Sequence, residues 1–164
     1  MNNKPILDVC CGGRMFWFDK QNPFTIFCDN RELADNLCDG RTFRVKPDML
    51  ADFTVLPFAD GAFKLVVFDP PHIVNGGDTA WMVKKYGRLP KDWEPVLHAG
   101  FTECMRVLDD YGVLIFKWCE DQIPVSKILH VINTQPLFGH KSGRAGKTHW
   151  LCFMKLPAEP NGRE

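Results

Sequence analysis

Short runs rich in β-branched and aromatic residues, separated by longer polar stretches, set the tightest limit on what this sequence can fold into. They span residues 5–11, 24–29, 42–46, 64–69, 112–118 and 149–155. Several are continuously apolar instead of alternating, the pattern of strands covered on both faces. Between them lie stretches with helical spacing. Residues 31–37 are predicted as one helix. Residues 93–108 form the longest, with Val96, Leu97, Phe101, Cys104, Met105 and Leu108 along one stripe. Residues 124–133 open on a proline and carry Val125, Ile128, Leu129 and Ile132 on one face. Strand and helix in alternation predict an α/β domain around a mainly parallel sheet.

The chain has 164 residues, 45% of them hydrophobic, enough for one core and one domain. That domain is expected over residues 1–156, with a disordered tail at 157–164, where apolar side chains run out. Within it, residues 73–95 have weak periodicity and several glycines, the signature of a lid or substrate loop. The formal net charge is zero, which argues against binding nucleic acid by bulk charge. The seven cysteines (Cys10, Cys11, Cys28, Cys38, Cys104, Cys119 and Cys152) include no C-x-x-C pair, so no metal site is expected. They read as reduced thiols of a cytoplasmic protein. No signal peptide and no membrane span are expected.

The first apolar run ends Asp8-Val9-Cys10-Cys11-Gly12-Gly13. In doubly wound sheets ligands sit beyond the carboxyl ends of strands, and glycines there admit a ligand close to the backbone. An acid ahead of the glycines suits a cationic ligand better than a pyrophosphate. The second run ends Cys28-Asp29-Asn30, where an acid fits an acceptor for ribose hydroxyls or a cap for the segment that follows.

Three segments taken in order resemble class I S-adenosylmethionine-dependent methyltransferases. The first is this opening turn, with Cys10 and Arg14 where the family's first and third glycines are expected. The second is Asp52-Phe53-Thr54-Val55-Leu56-Pro57-Phe58, leading through a turn into an apolar strand. The third is the helix end Arg106-Val107-Leu108, followed by Gly112 and another strand. The resemblance spans roughly residues 5–120. It implies a Rossmann-like fold: a mainly parallel seven-stranded sheet with an antiparallel last strand and helices on both faces. It implies S-adenosyl-L-methionine as cofactor, with S-adenosyl-L-homocysteine as product. The implied cofactor residues are Asp8, Cys10, Gly12, Gly13, Asp29, Asn30, Asp52, Phe53 and Asp69, with Asp52 toward the adenine amino group and Phe53 beside the ring. The run Met15-Phe16-Trp17-Phe18 is expected to fill the core, with a cofactor-facing aromatic as the second reading.

Phe68-Asp69-Pro70-Pro71-His72 closes the fourth of the longer runs. It resembles the Asp-Pro-Pro-aromatic motif of methyltransferases that act on exocyclic amino groups, including small prophage-type DNA adenine enzymes. Such a nitrogen is a poor nucleophile because its lone pair is delocalised. A carboxylate and a prolyl-segment carbonyl that accept its two hydrogens favour a tetrahedral, more nucleophilic geometry. Asp69, Pro70, Pro71 and His72 are therefore the expected catalytic set, with His72 where the family places a stacking aromatic.

Trp81, Lys84, Lys85, Tyr86 and Arg88 in the long loop, and Lys141, Arg144 and Lys147 in the glycine-rich segment 139–149, join His72 as candidate substrate contacts. The second segment is expected to be a β-hairpin between the last two strands. The expected activity is methylation of an exocyclic amino nitrogen, with N6 of adenine in DNA ahead of RNA, a protein amide or a small molecule. A catalytically silent binding subunit of the same fold stands beside it. Little chain follows the last strand, so the expectation is that loops read the target, that a partner chain does, or that the substrate is small or a structured RNA. A monomer or homodimer is expected.

Overall fold

The computed structural model describes residues 4–36, 40–77 and 80–157. In chain order the strands are β1 (Ile6–Asp8), β2 (Thr25–Asp29), β3 (Leu33–Asn36), β4 (Thr42–Val45), β5 (Met49–Leu50), β6 (Phe63–Phe68), β7 (Leu108–Cys119), β8 (Phe138–Ser142) and β9 (Thr148–Met154). The helices among the described residues are α1 (Trp81–Tyr86), α2 (Trp93–Val107) and α3 (Val125–Ile132). The apolar runs become a seven-stranded sheet of order β5-β2-β1-β6-β7-β9-β8. Strands β5 through β7 run parallel, and β9 lies antiparallel to both β7 and β8. This is the expected Rossmann-like sheet with its reversed last strand. The β8–β9 hairpin accounts for the glycine-rich segment 139–149.

Continuous apolar sequence does here what it predicts. Strand β2 is buried along its whole length, and Val66, Phe68, Leu114, Phe116 and Trp118 of the central strands have no exposed surface. Helix α2 covers β6 and β7 and also packs against α3, burying Trp93, Leu97, Phe101, Cys104 and Val107. It comes very close to the sheet at Gly100, where a Cβ would lie 2.4 Å from Phe53 Cδ2 and 3.0 Å from Phe68 Cζ. Helix α3 ends as predicted, on Asn133 in the left-handed conformation, its amide bonded to the Leu129 carbonyl at 3.0 Å.

The two later segments of the family resemblance are one physical unit. Arg106 of α2 donates to the carbonyls of Leu56 (3.0 Å) and Phe58 (2.8 Å) and to the carboxylates of Glu103 (2.7 Å) and Asp60 (2.7 Å). Glu103 in turn accepts the Leu56 amide at 2.7 Å. The arginine near the helix end thus holds the Leu-Pro-Phe turn that leads into β6.

Two expectations need correction. Residues 33–36 of the predicted 31–37 helix form β3, paired antiparallel with β4. Their exposure alternates with period two, as does that of β4, whose Phe43 and Val45 face inward. The helical pattern there rested on Leu33 and Leu37 alone, and a cross-strand ladder with a buried face outweighs so weak a propensity. Second, the 42–46 run belongs to this separate hairpin, and the two-residue β5 takes the edge of the main sheet. Cys11, Cys28, Cys104 and Cys152 are buried thiols, and Cys10 and Cys119 are half-buried. Leu37, Cys38 and the tail from 158 lie outside the described residues. No described helix is long and apolar enough to cross a membrane.

Candidate active site

The carboxyl ends of β1, β2, β6 and β7 converge on one cavity of about 260 Å³. Chain connections leave the centre of this sheet in opposite directions, and the crevice beside such a switch point is where open α/β sheets bind ligands. Cys10, Cys11, Gly12 and Gly13 line it from the end of β1. Asp29, Asn30 and Arg31 come from the end of β2, and Asp69, Pro70, Pro71 and His72 from the end of β6. Lys117 enters from β7.

Asp29 organises the first turn. It is 4% exposed; its Oδ2 accepts the Gly12 amide at 2.9 Å and its Oδ1 accepts the Arg31 amide at 3.0 Å and Arg31 Nε at 3.2 Å. A carboxylate has about four acceptor positions, so one remains. Gly12 has φ +48°, and at Gly13 a Cβ would meet Phe43 Cε2 at 2.8 Å. The left-handed backbone favours glycine at position 12, and the close approach of Phe43 favours it at position 13. Arg14, where a third glycine was expected, takes the left-handed conformation itself (φ 53°). Its guanidinium compensates by stacking 3.8 Å from the Phe27 ring centroid and bonding Asp48 and the Lys20 and Lys46 carbonyls.

Asp8 does not line the cavity. It is fully buried; Oδ2 accepts Trp17 Nε1 at 2.7 Å, and among the described residues Oδ1 has no partner. Burial raises its pKa from 3.8 to about 7, against the lowering effect of the Trp17 bond. Asp8 thus supports the turn from behind. Asp52 is exposed, and its Oδ1 accepts the amide and hydroxyl of Thr54, both at 2.8 Å. The cavity takes Phe53 from this segment and not Asp52. The Met15–Phe18 run is not core filling: Phe18 is fully exposed, Met15 is 52% exposed, and Met15 and Phe16 line the cavity. Burial pushes the Cys10 thiol up and that of Cys11 up to about 12, so neither is a thiolate at neutral pH.

At the other end, Asp69 Oδ2 accepts Lys117 Nζ at 2.6 Å. Burial raises the Asp69 pKa and the Lys117 charge opposes that rise. Burial is also the main reason the His72 pKa is lowered, so the imidazole is neutral at pH 7. Its ring lies 5.7 Å from that of Tyr86, tilted by 48°, and 6.4 Å from Trp118, edge-on at 80°. Among the predicted substrate contacts, His72, Lys85 and Tyr86 line the cavity. The rest are elsewhere. Lys84 pairs with Asp35 (2.7 Å), Lys141 with Glu120 (3.4 Å) and Lys147 with Asp121 (2.7 Å). Arg88 donates to the Gly76 carbonyl at 2.6 Å, and Trp81 is half exposed. The Arg144 side chain lies outside the described residues.

Lys117, Arg31 and Phe43 were not anticipated. Lys117 had a signal: it is a charged residue near the end of an apolar run, and a parallel register with β6 places it next to the residue that follows Phe68. Phe43 had none, because only the β3–β4 hairpin brings it over Gly13.

The donor set fits S-adenosylmethionine. Asp29 keeps an acceptor for a ribose diol, Phe16, Phe43 and Phe53 provide apolar wall for a purine, and the bare backbone of 12–13 admits a ligand closely. No family model matches the sequence, and no curated protein matches it. Solved structures do match. The chain is similar to the PH0226 protein of Pyrococcus horikoshii OT3, with a TM-score of 0.57 at 15% identity, covering 91% of this chain and 80% of that one. It is also similar to a SAM-dependent methyltransferase of Methanosarcina mazei, with a TM-score of 0.54 at 10% identity, covering 95% and 94%. With the strand order, these likenesses establish the class I methyltransferase fold.

Proposed function

We propose that this protein is an S-adenosylmethionine-dependent methyltransferase acting on an exocyclic amino nitrogen, with N6 of adenine in DNA as the leading target. One observation carries the reading: the Asp69 carboxylate, followed by Pro70, Pro71 and His72, shares a cavity with the Gly12–Gly13 turn and Asp29. Acceptor chemistry and the candidate cofactor cradle therefore meet in one place.

When bound, S-adenosylmethionine supplies a methyl group activated by a positive sulfur. Asp29 and the bare 12–13 backbone hold the cofactor, with Phe16, Phe43 and Phe53 as apolar wall. Asp69 accepts a hydrogen of the amino group and takes up the proton the nitrogen sheds, a role favoured by the burial that raises its basicity. The prolines keep the 69–72 backbone extended. His72, neutral and tilted against Tyr86, forms the aromatic side of the acceptor pocket, so Tyr86 provides the stacking surface that a histidine alone lacks.

Incubation with tritiated S-adenosylmethionine and separate pools of DNA, RNA and protein tests this. The expected result is label in DNA, recovered as N6-methyladenine. Label confined to RNA or protein would replace the target and keep the chemistry. No label in any pool, from folded protein, would contradict the amino-methyltransferase reading.

A further inference from the structure

Lys117 stands in this site without a role assigned to it above. It follows Phe116, which is in register with Phe68, so the parallel pairing of β6 and β7 sets it beside Asp69. Its Nζ is 2.6 Å from Asp69 Oδ2. It also lies 5.5 Å from the Phe16 ring centroid and 5.7 Å from that of Trp150. Among the described residues, Nζ makes its hydrogen bond to Asp69 alone, and Asp69 Oδ1 makes none. An ammonium has three donors and no acceptor; a carboxylate has acceptors only. The cavity therefore presents a spare donor and a spare acceptor side by side, fixed by an ion pair and two aromatic rings.

We propose that Lys117 is a specificity residue that reads the acceptor atom next to the methylated amino group. An amino N–H donates to Asp69 Oδ1 while the adjacent ring nitrogen accepts from Lys117 Nζ. The matching substrate edge is an amino group beside a ring nitrogen with a free lone pair, as in adenine and cytosine. An aliphatic ammonium is rejected, because it meets Lys117 as a like charge and offers no acceptor. A ring carbon at the adjacent position is also rejected, since it leaves the buried donor unpaired. The aromatic flanks limit the positions Nζ can take, so the donor is preorganised.

This inference rests on the amino-methyltransferase reading, and one experiment separates their failures. Randomised single-stranded DNA oligonucleotides are prepared with adenine, 1-deazaadenine or 7-deazaadenine. Single-turnover methylation is measured for the unaltered protein and for the Lys117→Met and Lys117→Arg variants. Binding of the same oligonucleotides in the presence of S-adenosylhomocysteine gives a readout independent of turnover. The unaltered protein is expected to lose about 10- to 100-fold on one of the deaza oligonucleotides, the loss of a hydrogen bond to a charged donor. Lys117→Met should treat all three oligonucleotides alike, and Lys117→Arg should retain part of the discrimination. Equal rates on all three with the unaltered protein would overturn the proposal, as would full discrimination by Lys117→Met. If the unaltered protein methylates no oligonucleotide, DNA falls as the target, and this inference falls with it.

Discussion

Replacement of Asp69 by alanine is expected to cut methyl transfer by about 10²- to 10³-fold, the usual cost of removing one preorganised group that acts on developing charge. Two losses combine. The acceptor for the amino hydrogen disappears, and Lys117, three-quarters buried, loses its 2.6 Å partner. Asp69→Asn should fall less far, because a side-chain oxygen still accepts the hydrogen while the capacity to take a proton is gone. S-adenosylhomocysteine binding, measured by calorimetry on the same proteins, should change far less than turnover, since Asp29 and the 12–13 backbone are untouched. Unchanged transfer by Asp69→Ala would remove the carboxylate from the mechanism.

The second large effect is on stability and concerns Asp8. Its folded-state pKa is about 7 against an ordinary value of 3.8. Below pH 3.8 the side chain is protonated in both folded and unfolded states. Between 3.8 and 7 the folded state binds more protons, so stability falls as pH rises through that window, and it levels off above it. At 1.36 kcal/mol per pKa unit the whole window is worth roughly 4 kcal/mol. Asp8→Asn keeps an oxygen for Trp17 Nε1 and cannot ionise. Its melting temperature relative to the unaltered protein should therefore climb from pH 4 to about pH 7 and level off above that. Other titrating groups, such as Glu120, whose pKa is lowered to about 2 by its His149 bond, are common to both proteins and cancel. A difference in melting temperature that stays flat across this range would show that Asp8 is not held protonated by burial.

The sheet was legible in the sequence wherever a run was apolar throughout, because strands buried on both faces leave no other pattern. Residues 65–68 and 113–116 are such stretches, and they lead directly into Asp69 and Lys117. The first half was less legible. The helix at 31–37 gave way to β3 because its partner strand, and the buried Phe43 and Val45 face that stabilises the pair, come from sequence-distant residues. Asp69-Pro70-Pro71-His72, Gly12, Gly13 and Asp29 were readable as a site, since their chemistry is local and each sits at a strand end. What could not be read was contact between elements. Asp8 was expected to meet the ligand, yet Trp17 covers it. Three of the six predicted basic contacts, Lys84, Lys141 and Lys147, are instead paired with acids, and Lys117, the cation bonded to Asp69 in the cavity, lies in a strand that looked like core.

An S-adenosylmethionine site organised by Asp29, in the cavity at the carboxyl ends of β1, β2, β6 and β7, has a calorimetric consequence. The most direct test is calorimetric titration of S-adenosylhomocysteine into the unaltered protein and into Asp29→Ala. One molecule should bind per chain, and binding should weaken at least about tenfold in the variant, as expected when a hydrogen-bonding carboxylate is removed from a buried site. No binding to the folded, unaltered protein, or equal affinity in both, would contradict it.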